Sequence, residues 1–140
     1  MRKVSIEIAK AFINGKKKTV GNTYTENGEI FLHNNKIAWW ESTGKYYSKG
    51  SHIDSNSVHL CFSMCGWDTV TTRERLNTLF YELFKNDLSQ CKHFVYLKQS
   101  KGDQYLYINT TCMKIDPSKV YVLREIGDDV FLDEPVALAI

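Results

Sequence analysis

One stretch, Gly66-Trp67-Asp68-Thr69-Val70-Thr71-Thr72-Arg73-Glu74-Arg75-Leu76-Asn77, ties the clearest strand of the chain to its clearest helix. Before it, Val58, Leu60, Phe62 and Met64 alternate with polar or smaller residues, as one face of a half-buried strand over 57–64. After it, Leu76, Leu79, Phe80, Leu83 and Phe84 recur at i, i+3, i+4, i+7 and i+8, a single apolar stripe. Thr71 followed by Glu74 reads as a capping box, and Asn86 as a left-handed stop. These signals predict a helix over 72–85, with Trp67 wedged between it and the sheet.

Two arginines in the first turns of that helix oppose its dipole, so each needs a reason. One reason is structural: an arginine pairs with a nearby carboxylate such as Asp68 and pins the turn. The other is functional: Arg73, Arg75 and the hydroxyls of Thr69, Thr71 and Thr72 form an anion site beside free helix N–H groups.

Residues 4–14 fit a strand through Val4, Ile6 and Ile8, and a helix through Val4, Ile8, Ala11 and Phe12. Ser5 as N-cap and Gly15 just past the end favour the helix. The basic run Lys16-Lys17-Lys18 follows. Short strands are predicted at about 18–25, 29–33 and 36–41, with hairpin turns at Asn27-Gly28 and Asn34-Asn35. Trp39 and Trp40 then point to opposite sheet faces, one to the core and one to solvent or a partner. Residues 42–56 are rich in Ser, Gly, Lys, Tyr and Asn and read as a mobile insertion loop carrying Tyr46, Tyr47 and His52. Beyond the helix, strands at 93–98, 104–109 and 119–124 read as a second antiparallel group. The predicted class is α+β: a single domain over 1–140, two helices on antiparallel sheet, in the order α-β-β-β-β-α-β-β-β.

The 43% hydrophobic and 13% aromatic content suits a folded chain with a real core. No apolar run is long enough to span a membrane, and Met1-Arg2-Lys3-Val4-Ser5 does not open a signal peptide, so the expected location is the cytoplasm. Residues 1–124 hold 18 Lys and Arg against 11 Asp and Glu, a balance of +7. Residues 125–140 carry five carboxylates and no base, an acidic-apolar C-terminal segment of −5. Cys61 and Cys65, four apart on a strand, would lie about 13 Å from each other at ~3.3 Å per residue, too far to share a metal. With Cys91 and Cys112 they read as buried free thiols; no metal and no cofactor is expected.

The order Gly21-Asn22-Thr23, Leu32-His33-Asn34-Asn35-Lys36-Ile37-Ala38 and Gly66 through Asn77 resembles a group of small tailed-bacteriophage proteins over roughly residues 5–84. The chain departs from them at residues 42–56 and in its length beyond the helix. The resemblance implies a phage origin, and hence the host cytoplasm as its setting. The helix, sheet, helix order of the front portion is also similar to that of double-stranded-RNA-binding domains, a likeness at the level of fold alone.

No Gly-x-Ser-x-Gly, His-Glu-x-x-His, P-loop or dinucleotide fingerprint is present, and the four histidines are scattered. The reading that follows is a non-catalytic phage accessory protein that inhibits a host protein, such as an antiviral defence component. Its contact residues would be Tyr46, Tyr47, Trp40, Arg73 and Arg75. The alternative is a small nucleic-acid-binding module, for double-stranded RNA or DNA, using Lys16, Lys17, Lys18, Arg73 and Arg75.

Overall fold

The computed structural model describes residues 3–40, 59–85, 93–126 and 129–133. The predicted loop with Tyr46, Tyr47 and His52, the Asn86 stop and residues 134–140 lie outside them. Helix α1 spans Lys3–Ile13 and buries Ile8, Ala9 and Phe12. It ends in a Schellman motif: Gly15, at φ +69°, donates to Phe12 O, and Lys16 N–H reaches Ala11 O at 2.8 Å. Ser5 lies inside this helix, where its hydroxyl serves α2 instead of capping α1.

Strands β1 (Lys18–Val20), β2 (Thr23–Glu26), β3 (Glu29–Leu32), β4 (Asn35–Trp40) and β5 (His59–Ser63) follow as an antiparallel meander. The expected strand at 18–25 is thus two, divided by a turn at Gly21. Asn27 and Gly28 both have positive φ, the type I′ signature that suits a tight hairpin. Gly28 is also a site of close approach, since a Cβ there would sit 3.1 Å from the Trp40 ring. The next turn uses His33 and Asn34, one residue earlier than the sequence suggested. A bulge between β3 and β4 leaves Ile37 without a cross-strand partner, so Ile37 and Ala38 are both buried.

Helix α2 spans Val70–Phe84. Three strands then form a separate sheet, β6 (Val95–Ser100), β7 (Asp103–Ile108) and β8 (Thr111–Ile115). The chain next returns to the first sheet. Strand β9 (Val120–Ile126) pairs antiparallel with β5, and β10 (Asp129–Asp133) lies outside it. The large sheet therefore has the order β1-β2-β3-β4-β5-β9-β10. The described residues form an α+β fold with two helices, as expected, but the grouping differs: β8 and β10 are additional, and β9 belongs to the first sheet. The acidic segment is correspondingly less of a tail. Glu125 is buried in β9 with its carboxylate 3.4 Å from His93 Nε2, and residues 129–133 are strand.

Helix α2 is shared by every layer. Phe80 meets Phe62 of β5 edge to face, with Tyr121 of β9 behind it. Phe12 of α1 stacks on Trp40 at 4.5 Å. On its remaining side α2 contacts β6, where the Asn77 amide bonds both Leu97 N–H (2.6 Å) and Leu97 C=O (3.0 Å), as a neighbouring strand would. Leu76, Leu79, Phe80 and Leu83 have no exposed surface. At about 1.5–3 kcal/mol for each fully buried large apolar side chain, these four dominate the attachment of the helix.

Candidate functional site

The junction between β5 and α2 builds a cleft of about 360 Å³. Two successive residues with positive φ, Cys65 and Gly66, swing the chain out of the sheet. Gly66 N–H is held by Pro117 O at 2.9 Å and Trp67 N–H by Met64 O at 2.8 Å, while the Cys65 thiol donates to Lys36 O at 3.1 Å. Partial burial pushes that thiol above its ordinary pKa. The turn leaves Trp67 60% exposed, so this ring does not wedge under the helix as its sequence position suggested. The cleft lining is apolar at Leu32, Ile37, Met64 and Trp67 and polar at His33, Asn35, Thr69, Thr71 and Thr72.

The helix is capped by Thr69, whose Oγ1 accepts from Thr72 N–H at 3.2 Å and lies 3.0 Å from Thr72 Oγ1. The predicted Thr71 and Glu74 capping box is absent because Glu74 is drawn elsewhere. Its carboxylate accepts from Thr78 Oγ1 (2.8 Å), from Arg75 (2.6 Å) and from the Ser5 hydroxyl. Thr71 faces the cleft instead.

The two arginines are internal clamps. Arg75 is buried, donating to Ser5 Oγ at 2.8 Å, to Glu74, and through Nε to Thr23 Oγ1 at 3.1 Å. Arg73 points the other way, giving Nη1 to Asp68 O, Gln99 Oε1 and Gln104 Oε1 at 2.8–3.2 Å. It engages the Asp68 backbone, where the sequence suggested the carboxylate. One arginine fastens α2 to α1 and β2; the other fastens it to the β6–β7 hairpin.

A chain of bonds runs from Arg75 to the cleft rim. Thr23 Oγ1 accepts from Arg75, so its own hydrogen goes to Asn22 Oδ1 at 3.0 Å. That orients the amide so that Asn22 Nδ2 donates to His33 Nε2 at 3.1 Å, which leaves the neutral ring's proton on Nδ1. The three separated sequence blocks are therefore neighbours in space, joined through Asn22–His33 and Thr23–Arg75.

The remaining sequence candidates fall elsewhere. Trp40 is turned inward, 8% exposed, and Trp39 is the outward ring of the pair, with Lys36 Nζ 4.6 Å from its centroid. Lys16, Lys17 and Lys18 are exposed at the start of β1, with Lys17 3.3 Å from Glu26. Cys61 is buried and Cys65 half-buried, but Cys112 is exposed, so the thiols do not share one environment. Among the described residues no cluster of three or more His, Cys, Asp or Glu side chains assembles. Among the described residues that line the cleft there is no carboxylate and no lysine. Trp67 was missed as a site residue because two adjacent positive-φ positions, Cys65 and Gly66, unmarked by any motif, decide where its ring points.

The molecule is an α+β protein, and no helix of the described residues is long and apolar enough to cross a membrane. The family model for the Kyanoviridae Gp96 protein matches residues 1–114, and the chain belongs to that family of phage proteins. The match runs from α1 into β8, so it contains the whole cleft and stops short of β9. No curated protein and no solved structure matches the chain.

Proposed function

We propose that this phage protein is a non-catalytic accessory protein that binds a host protein through the cleft at the β5–α2 junction. The observation that carries the reading is Trp67, 60% exposed beside Val70 at 65%, at a partly apolar cleft. Two large apolar side chains left in water beside a concavity are the arrangement by which an interface anchors a partner. A partner's aliphatic or aromatic side chain would fill the apolar part of the cleft, and its backbone would meet the Thr69 and Thr71 hydroxyls and Asn35. His33 stands at the rim with its Nε2 bonded to Asn22. A host protein in the cytoplasm, such as a component of antiviral defence, is the target class that phage membership favours.

The test is capture from nuclease-treated host lysate with tagged wild type and Trp67→Ala. A defined protein retained by wild type, with binding weakened by about 2–4 kcal/mol in Trp67→Ala, supports the reading. Equal capture by both removes the cleft as the contact.

A further inference from the structure

The β6–β8 sheet buries one face in the core through Val95, Leu97, Leu106, Ile108 and Ile115, with β6 against α2. Strand alternation turns Tyr96, Lys98, Tyr105, Tyr107, Cys112 and Lys114 to the other face. Register sets them in two rows: Tyr96, Tyr107 and Cys112 abreast, then Lys98, Tyr105 and Lys114 abreast, about 6.6 Å apart. Tyr96 and Tyr107 stack with centroids 4.8 Å apart and planes 4° from parallel. Tyr96 is 40% exposed, and Lys98 and Lys114 are exposed. Lys101 adds a third exposed cation at the β6–β7 turn, and Asp103 is the single carboxylate within residues 95–115, 3.6 Å from Lys114.

We propose that this face is a platform for single-stranded nucleic acid, with bases stacking on Tyr96, Tyr105 and Tyr107 and phosphates paired by Lys98, Lys101 and Lys114. Tyr105 and the outer faces of the Tyr96–Tyr107 stack supply π-surface to unstacked bases, which a duplex keeps hidden. The charge pattern chooses the occupant. The second row reads Lys, Tyr, Lys across three strands, so any ligand covering Tyr105 meets an ammonium group on each side. A single strand brings a phosphate with every nucleotide; a protein surface would have to desolvate two lysines, a residue type depleted from interface cores. The face is separate from the Trp67 cleft, and the two bind or fail independently.

Fluorescence anisotropy of the full chain with a labelled 15-nucleotide oligothymidylate, oligouridylate and a 15-base-pair duplex tests this. At 50 mM salt at least one of the single strands should bind, and more tightly than the duplex. Lys98→Gln with Lys114→Gln should weaken binding and flatten the log–log salt slope by about 1.4, two phosphates at ~0.7 each. Tyr105→Ala should lose about 5- to 150-fold, Tyr105→Phe almost nothing, and Trp67→Ala nothing. The exposed Cys112 provides a footprint independent of mutation: bound oligonucleotide should slow its maleimide modification, read site by site by mass spectrometry. The proposal is overturned by absence of binding at 50 mM, by a duplex bound as tightly as the single strands, or by an unchanged Cys112 rate at saturation. A folded Tyr105→Ala that binds like wild type overturns it too, as does a protein partner held by this face when no oligonucleotide is.

Discussion

The Trp67 cleft and the outer face of the β6–β8 sheet are two surfaces made by opposite means. The cleft draws on β3, β4, the connection after β5 and α2, and its rim is set by a relay reaching from Arg75 through Thr23 and Asn22 to His33. The sheet face is made by one local meander whose registers alone put tyrosines beside lysines. A surface assembled from distant segments is sensitive to buried residues far from it. One written into a meander depends mainly on its own side chains and on whatever holds the meander down.

That contrast is easiest to break at Arg75. Arg75→Ala removes the donor that Glu74, Ser5 and Thr23 share, and loss of one partner of a largely buried pair costs about 3–5 kcal/mol. Thermal unfolding should show the loss, and any protein binding at the cleft should fall with it, while the small-sheet face keeps its chemistry at temperatures where the chain remains folded. Asn77→Ala is next: it strips both bonds from Leu97, so it should cost about 1–3 kcal/mol and raise amide hydrogen exchange in β6 before it does so in β2 or β3. Exchange rising equally in both sheets would mean the two are not separately anchored. Thr69→Ala should cost about 0.5–2 kcal/mol, and Thr71→Ala under about 0.5, since only the former caps α2. The reverse order in chemical denaturation would restore the capping box. The smallest effect is expected for Trp67→Ala, within about 0.5 kcal/mol of wild-type stability, because the ring is mostly in water. A large loss there would mean that the ring is part of the core.

The legible parts of the fold were those whose information is local. The stripe from Leu76 to Phe84, the Asn27-Gly28 turn and Gly15 after α1 each carry their cause within a few residues, and each element is present. The cap was misplaced because three threonines compete for one role. The choice is made by Ser5, Arg75 and Thr78, which take Glu74 away, and Ser5 is distant in sequence. Strand β8 shows a single fully buried side chain, Ile115, too little alternation to stand out. The membership of β9 in the large sheet was not legible at all, since Val120–Ile126 is apolar enough to pair with either sheet. Of the candidate site, the block containing Trp67 and the threonines was evident. Of the two readings of its arginines, the structural one fits the bonds they make, with Glu74 and not Asp68 as the paired carboxylate; a cation at a helix start looks the same in sequence whether it faces water or a carboxylate.

The return of β9 carries a consequence for how the chain is made. Strand β5 lies between β4 and β9, so during synthesis it is an open edge while α2 and the whole β6–β8 meander are added. An apolar edge strand waiting for a partner encoded much later is slow to complete and prone to capture by the same edge of another nascent copy. Burial of Phe62 against α2 gives that strand one covered face early and β4 pairs one of its edges, but the edge facing β9 stays open until Val120–Ile126 leaves the ribosome. Chains released before β9 should therefore be the insoluble ones.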